Sequence, residues 1–357
     1  MDLYLHIGTE KTGSSYLQSL AAKNRENLSR ASIHFPSAGA RDKQMLRGEI
    51  SAGNAQSLTN ALDENNWSAA EMLLKGWSEE TRVRNCQKLL LSNELLVLAL
   101  AHQSRLKHFE ELITSVGFHE TQVLLLLRDP ADQALSLYRH RAKAGTAPSI
   151  EDWPEDHYHY GLGLQQFLQA VKNSSLSISV RKYRKKGLED VFFSDWLGVA
   201  LKVKQPKQVV NPSLSLSELL LIRQLRQNDV WLPRFLYERL LSLPKSQKDP
   251  EPKLNQYYRN VLNSHISQFE TTWQLCNRYL PEDEKLEIPT VDSMVAKKID
   301  KVLTFSPAQS EIMAQFIKDS ASPIFQWKVR YRKYRNRLGR LKNKVLGNQE
   351  KHKEPQG

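Results

Sequence analysis

Cysteine is scarce in this sequence. The 357 residues hold two, Cys86 and Cys276, far apart and without His or Cys company. That excludes a disulfide framework and a structural zinc site as organising features, and predicts two reduced thiols of the cytosolic kind. Long apolar runs are also missing. The runs at Leu89–Leu91, Leu95–Ala101 and Val123–Leu127 are well short of the roughly 18 residues a membrane-spanning helix needs. Residues 2–7 read as a strand with no basic n-region, so no secretory signal is expected and the predicted location is cytoplasmic. Internal repeats of 20–50 residues are absent. Negative charge is in deficit, since the formal net charge is +12. Residues 328–357 hold eleven Lys or Arg against two Glu, which accounts for +9 of it. The basic signal therefore belongs to the tail and describes what the tail touches.

What is present is alternation. Short apolar runs at 3–7, 88–91, 121–127 and 177–183 are separated by segments of helical period. Tyr16, Leu17, Leu20, Ala21 and Leu28 form one such stripe within 12–31. Pro130 stands where a helix favours proline, in the first turn. Strands alternating with helices predict an α/β domain with a mostly parallel sheet, and continuous apolar runs predict strands covered on both faces. Residues 36–67, rich in Gly, Ser, Asn and Ala, read as loop with broken helix. From about 211 the texture turns helical, with Ser215-Leu-Ser-Glu218 as a capping box. Residues 243–254 read as a Pro- and charge-rich loop.

The segment Ile7-Gly8-Thr9-Glu10-Lys11-Thr12-Gly13-Ser14-Ser15 carries the most chemistry. It follows a strand and opens a helix, where backbone N–H groups and the helix dipole attract an anion. Gly8 and Gly13 have the spacing of the nucleoside-triphosphate loop, but Ser14 follows where that loop has lysine. The lysine sits inside the loop at position 11, and the Mg²⁺-ligating pattern is incomplete. Two further strand ends contribute Glu94, after Ser92-Asn93, and Arg128, before Asp129-Pro130. Ligands of parallel sheets bind beyond the carboxyl ends of the strands, so these groups share one crevice. Ser136 lies eight residues past Arg128, two helical turns on, and arginine with a hydroxyl is good phosphate chemistry. The residues leave three readings open: a non-standard anion loop, a kinase-like triphosphate loop, and a plain strand–turn–helix.

These segments resemble the sulfotransferases that use 3′-phosphoadenosine 5′-phosphosulfate (PAPS). HIGTEKTGSSYLQ (6–18) looks like the family's 5′-phosphosulfate loop, and LLLLRDPADQALSLYRH (124–140) looks like its 3′-phosphate motif. LLLSNELL (89–96) is similar to the strand that bears the catalytic Glu of carbohydrate-type members. The resemblance implies a parallel-sheet, P-loop-like fold flanked by helices, with a helical C-terminal half. It implies a sulfotransferase domain over 1–322 and a basic amphipathic helix with a disordered tail over 323–357. Lys11 would contact the bridging and sulfuryl oxygens. Thr12, Gly13, Ser14 and Ser15 would hold the 5′-phosphate, and Arg128 with Ser136 the 3′-phosphate. Glu94 would be the general base toward a hydroxyl or amine of a saccharide or glycoconjugate. No metal is implied. The basic run Arg184-Lys185-Lys186-Gly187 lacks the continuation of the small-molecule sulfotransferase motif, so the adenine contacts stay unassigned. The alternatives are a nucleoside-triphosphate-dependent kinase and a non-catalytic nucleotide- or glycan-binding protein.

Ser322-Pro323 reads as an N-cap and first-turn pair. Beyond it Trp327, Tyr331, Tyr334, Leu338, Leu341 and Val345 recur at heptad spacing among Lys and Arg. Three occupants suit that seam: its own domain or a second subunit, an anionic membrane surface met through 323–346 at the inner face, and nucleic acid. The last is disfavoured because no base-reading motif accompanies it.

Overall fold

The structure, a computed structural model, describes residues 1–49, 52–143, 145, 147–200, 214–228, 231–248, 251–289 and 303–335. The chain divides into two compact units. One comprises Met1–Tyr138, Ser149–Asn211 and Gln256–Lys298, and the other Arg139–Pro148, Pro212–Asn255 and Ile299–Gly357. Residues 323–335 group with 212–255.

The first unit is α/β. Strands β1 (Asp2–Gly8), β2 (Ile33–His34), β3 (Lys88–Ser92), β4 (Thr121–Leu127) and β5 (Ser177–Lys182) form a parallel sheet in the order β2-β3-β1-β4-β5. Leu5 of β1 pairs with Leu91 on one side and Val123 on the other. Leu3, Leu5, Ile7, Leu89–Leu91 and Val123–Leu127 are all buried, which is why these strands read as unbroken apolar runs. Between the strands run α1 (Ser14–Lys23), α2 (Arg25–Arg30), α3 (Asp42–Arg47), α4 (Gln56–Asp63), α5 (Trp67–Val83), α6 (Leu96–Ala99), α7 (Gln103–Val116), α8 (Pro130–Ala142), α9 (Trp153–His157) and α10 (Tyr160–Val171). A π-helical turn, Asp190–Trp196, follows β5.

Several local details differ from the sequence reading. The helix expected over 12–31 breaks at Asn24, whose side-chain amide donates to the Leu20 carbonyl at 2.8 Å and closes α1. Asparagine competes for backbone partners in this way. The two-residue strand β2 is too short to show a period. Residues 36–67, read as loop with broken helix, include α3 and α4 among the described residues.

The described elements after Leu214 are helical: α11 (Leu216–Asn228), α12 (Leu232–Leu241), α13 (Pro252–Ile266), α14 (Glu270–Tyr279), α15 (Pro307–Ser320) and a helix over 323–335. The capping box at α11 is present, with Ser215 N–H donating to Glu218 Oε2 (2.7 Å) and Glu218 N–H to Ser215 Oγ (3.2 Å). Ser322 caps the last helix by accepting from Phe325 N–H at 3.3 Å. Both cysteines are free and buried, and burial pushes the Cys276 thiol up to about 12. Among the described residues no helix is long and apolar enough to cross a membrane.

Candidate active site

Strand β1 occupies the centre of the sheet, so the turn that leaves it lies beside the carboxyl ends of β3 and β4. That turn, Thr9–Thr12, is tight. Thr12 Oγ1 donates to the Thr9 carbonyl at 2.7 Å and lies 3.5 Å from Ser14 Oγ. Lys11 adopts φ +71°, a left-handed conformation that costs a lysine about 1 kcal/mol or more and persists only when its surroundings impose it. Two groups from the β4–α8 junction impose it here. Arg128 Nη1 donates to the Lys11 carbonyl (3.2 Å), and Gln133 Nε2 donates to the Glu10 carbonyl (3.1 Å). Gly13 then caps α1 at φ +85°. A Cβ there would sit 2.6 Å from Leu188 Cδ2 and 3.1 Å from Tyr183 Cε2, so only glycine fits. The N–H groups of Gly13, Ser14 and Ser15 head a helix with no acidic residue in its first turn, which suits an anion.

Glu94 stands one residue past Asn93 at the end of β3. Its carbonyl accepts from Gly8 N–H at 3.4 Å, which fixes it beside the loop. A polar chain orients the side chain. His6 Nδ1 and Ser92 Oγ are 2.8 Å apart, and Gln18 Nε2 donates to both Ser92 Oγ (3.1 Å) and Glu94 Oε2 (3.4 Å). Burial pushes the Glu94 carboxyl up to about 7, the charge of Glu10 adds to the rise, and Gln18 and Lys11 oppose it. A carboxyl poised near 7 is matched to general base work at neutral pH. Burial lowers His6 to about 3, so its imidazole is neutral.

Glu10 is held by Tyr160 of α10. The phenol donates to Glu10 Oε2 (3.0 Å) and accepts from Glu10 N–H (3.2 Å). Burial, then the charge of Glu10, hold the Tyr160 phenol far above its ordinary pKa, so it stays a donor.

Arg128 leaves β4 with its guanidinium 5.3 Å from the Tyr183 ring centre and 4.0 Å from Asp132. Asp132 also takes Arg259 of α13. Ser136 is half-buried on α8, one turn beyond Asp132. Lys11, Thr12, Gly13, Ser14, Ser15, Glu94 and Arg128 thus meet at neighbouring strand ends, while Ser136 stands two turns up the adjoining helix.

The basic run at 184–187 meets acidic partners through Arg184. Arg184 pairs with Asp283 (2.8 Å) and Glu284 (2.7 Å), and Arg181 with Glu284 at 2.8 Å. Burial raises Glu284, but the hydrogen bonds of Arg181 and Lys182 N–H with the two guanidinium charges outweigh it and hold the carboxyl below its usual value. Tyr183 and Leu188 from the same segment close over Gly13.

Sequence reasoning gave no role to Glu10, Gln18, Gln133, Tyr160, Tyr183 or Arg259. Gln18 had a usable signal, one turn past Ser14 on α1. Tyr160 had none, being 150 residues from the carboxylate it holds. Among the described residues no group of three or more His, Cys, Asp or Glu is placed to hold a metal ion. No family model matches this chain, and neither does any curated protein or solved structure.

Proposed function

We propose that the protein is a sulfotransferase that moves the sulfuryl group of PAPS to a hydroxyl or amine of a saccharide or glycoconjugate. The observation that carries the reading is the company Lys11 keeps: an anion loop gripped by Arg128, beside a carboxyl pushed up to about 7. The 5′-phosphosulfate suits the loop, where Lys11 and the N–H groups of Gly13–Ser15 face the charge that grows on the departing phosphate. The 3′-phosphate suits Arg128 with Ser136.

Glu94 holds the acceptor and takes its proton as the acceptor oxygen bonds to sulfur. The opposite S–O bond breaks, its electron pair leaves with the 5′-phosphate, and the charge ends beside Lys11. Positioning supplies most of the acceleration, and the base adds about 10²–10⁴-fold. A saccharide acceptor follows from the resemblance, in which Glu rather than His serves as base.

Thermal unfolding with the product 3′-phosphoadenosine 5′-phosphate, beside ATP with Mg²⁺, tests the reading. A ligand at 100 times its Kd stabilises by about 2.7 kcal/mol. A shift with the bisphosphate alone is expected. A shift with ATP–Mg²⁺ alone makes the protein kinase-like, and no shift with either refutes nucleotide-dependent transfer. Arg128→Ala should weaken PAPS far more than adenosine 5′-phosphosulfate, which lacks the 3′-phosphate; equal loss overturns the role of Arg128.

A further inference from the structure

The seam read in the tail falls on the helix 323–335 as far as Tyr334, while Leu338, Leu341 and Val345 lie outside the described residues. Two apolar stripes share this helix. Phe325 and Val329 are buried, at 6% and 5% exposure. Phe325 packs against Phe235 of α12 and Phe316 of α15, with ring centres 5.1 and 5.6 Å apart. Arg332 on the same side stacks over Phe235 and pairs with Glu238 at 3.0 Å. The helix is thus anchored to its own unit through 325, 329 and 332.

The other stripe faces out. Ile324, Trp327, Tyr331 and Tyr334 are 69%, 63%, 52% and 61% exposed. The Trp327 and Tyr331 rings lie stacked, 5.5 Å apart and 13° from parallel, as one slab. At about 100° per residue this stripe lies roughly 150° around the helix from the anchored one. The same geometry sets Lys328 and Arg335 along one border of the slab and Arg330 along the other, with Lys333 further round toward the anchored stripe. All four are exposed, and residues 323–335 contain no acid.

We propose that this outer face docks on the surface of an anionic lipid bilayer. Trp and Tyr favour the depth of the headgroups, with an apolar body and a polar tip. Flanking Lys and Arg lay their stems along the apolar border and reach up to lipid phosphates. Anionic lipid supplies the opposite charge that four cations without an acid require. A second copy of the same face would set cations against cations. The anchored stripe holds the helix in shape before contact, so binding does not have to order it.

The test uses the full chain with vesicles of phosphatidylcholine, alone or mixed with phosphatidylglycerol. Co-sedimentation with the mixed vesicles only is expected, weakening with salt. Trp327→Ser with Tyr331→Ser should lower the partition coefficient at least tenfold while the thermal transition is unchanged, because both side chains face out. Lys328→Gln with Arg330→Gln should cost roughly tenfold or more. Met72→Ser, at an exposed apolar position of α5, should change nothing. Equal vesicle binding by the parent and the Trp327/Tyr331 variant overturns the proposal, as does no binding by the parent. So does tighter binding to a single-stranded oligonucleotide than to the mixed vesicles, with the same dependence on the two aromatics.

Discussion

At the scale of single residues, Glu94 sets stability against chemistry. Its carboxyl is raised to about 7 in the folded protein from an ordinary 4.5. The folded state therefore holds a proton that the unfolded chain releases between those values. The neutral carboxyl is fully stabilising below about 4.5, and that contribution falls as pH rises toward 7. Above 7 a buried charge costs on the order of 3 kcal/mol, at about 1.4 kcal/mol per pH unit. Glu94→Gln should then raise the Tm at pH 8 and leave it unchanged near pH 4.5, read against the parent at each pH so that the opposing titration of His6 cancels. On the proposed sulfuryl transfer, the same substitution should remove most activity, and the parent rate should rise with pH and level off above about 7. A variant no more stable than the parent at pH 8 contradicts the burial of that charge.

Gly13 makes a second case at this scale. Gly13→Ala meets both a left-handed φ and the Leu188 methyl at 2.6 Å. It should lower stability by about 1–3 kcal/mol and weaken bisphosphate binding more than tenfold, read by denaturant unfolding and calorimetry. Lys11 and Arg128 were legible in the sequence because each sits next to a strand end that its apolar run marks. The groups that hold the loop at Glu10 were not. Gln133 and Tyr160 act across 123 and 150 residues, and no local period records such a bond.

Among the elements, β3 shows how an edge is finished without a strand. The strand β2 pairs with Lys88 and Leu89 only. Past that point Asn54 takes over, its amide donating to the Leu90 carbonyl (3.0 Å) and its oxygen accepting from Ser92 N–H (2.8 Å). Ala55 N–H adds a bond to Ser92 O (3.3 Å), and Asn93 Nδ2 returns one to Ala52 O (2.8 Å). The chain approaches so closely that a Cβ on Gly53 would lie 1.9 Å from the Ser92 carbonyl oxygen. One side chain thus ends the ladder that delivers Glu94. Asn54→Ala should cost about 1–3 kcal/mol from two unsatisfied strand groups, and cut turnover with little change in bisphosphate affinity. If turnover survives, the strap does not position Glu94. The sequence reading gave 36–67 as loop with broken helix; an asparagine standing in for a strand carries no strand propensity, so its role was not legible. The tail shows the reverse failure. Its period was legible, but the stripes 325/329 and 324/327/331/334 share one helix, and spacing alone does not say which is covered.

For the whole molecule, the first unit closes only with residues far along the chain. Glu284 receives Arg181, Arg184 and the Lys182 N–H. Trp273 and Cys276 of α14 are buried in the same unit, and the Phe269 ring lies where a Cβ on Gly161 would be. A fragment ending at 211 should therefore show no cooperative thermal transition by circular dichroism. A transition at the parent's Tm would mean that 256–298 is dispensable.

The central place of β1 has a consequence in time. The middle strand of the sheet is made before both of its neighbours, which begin at residues 88 and 121. On a ribosome, β1 waits for more than a hundred later residues before both of its edges are paired. The loop at Gly8–Ser15, gripped by Arg128 and Gln133, cannot take its shape earlier. Nascent chains stalled before β3 should expose an apolar strand with two open edges, a natural target for chaperones. Binding competence would then arrive late in synthesis and abruptly, when long-range pairing closes.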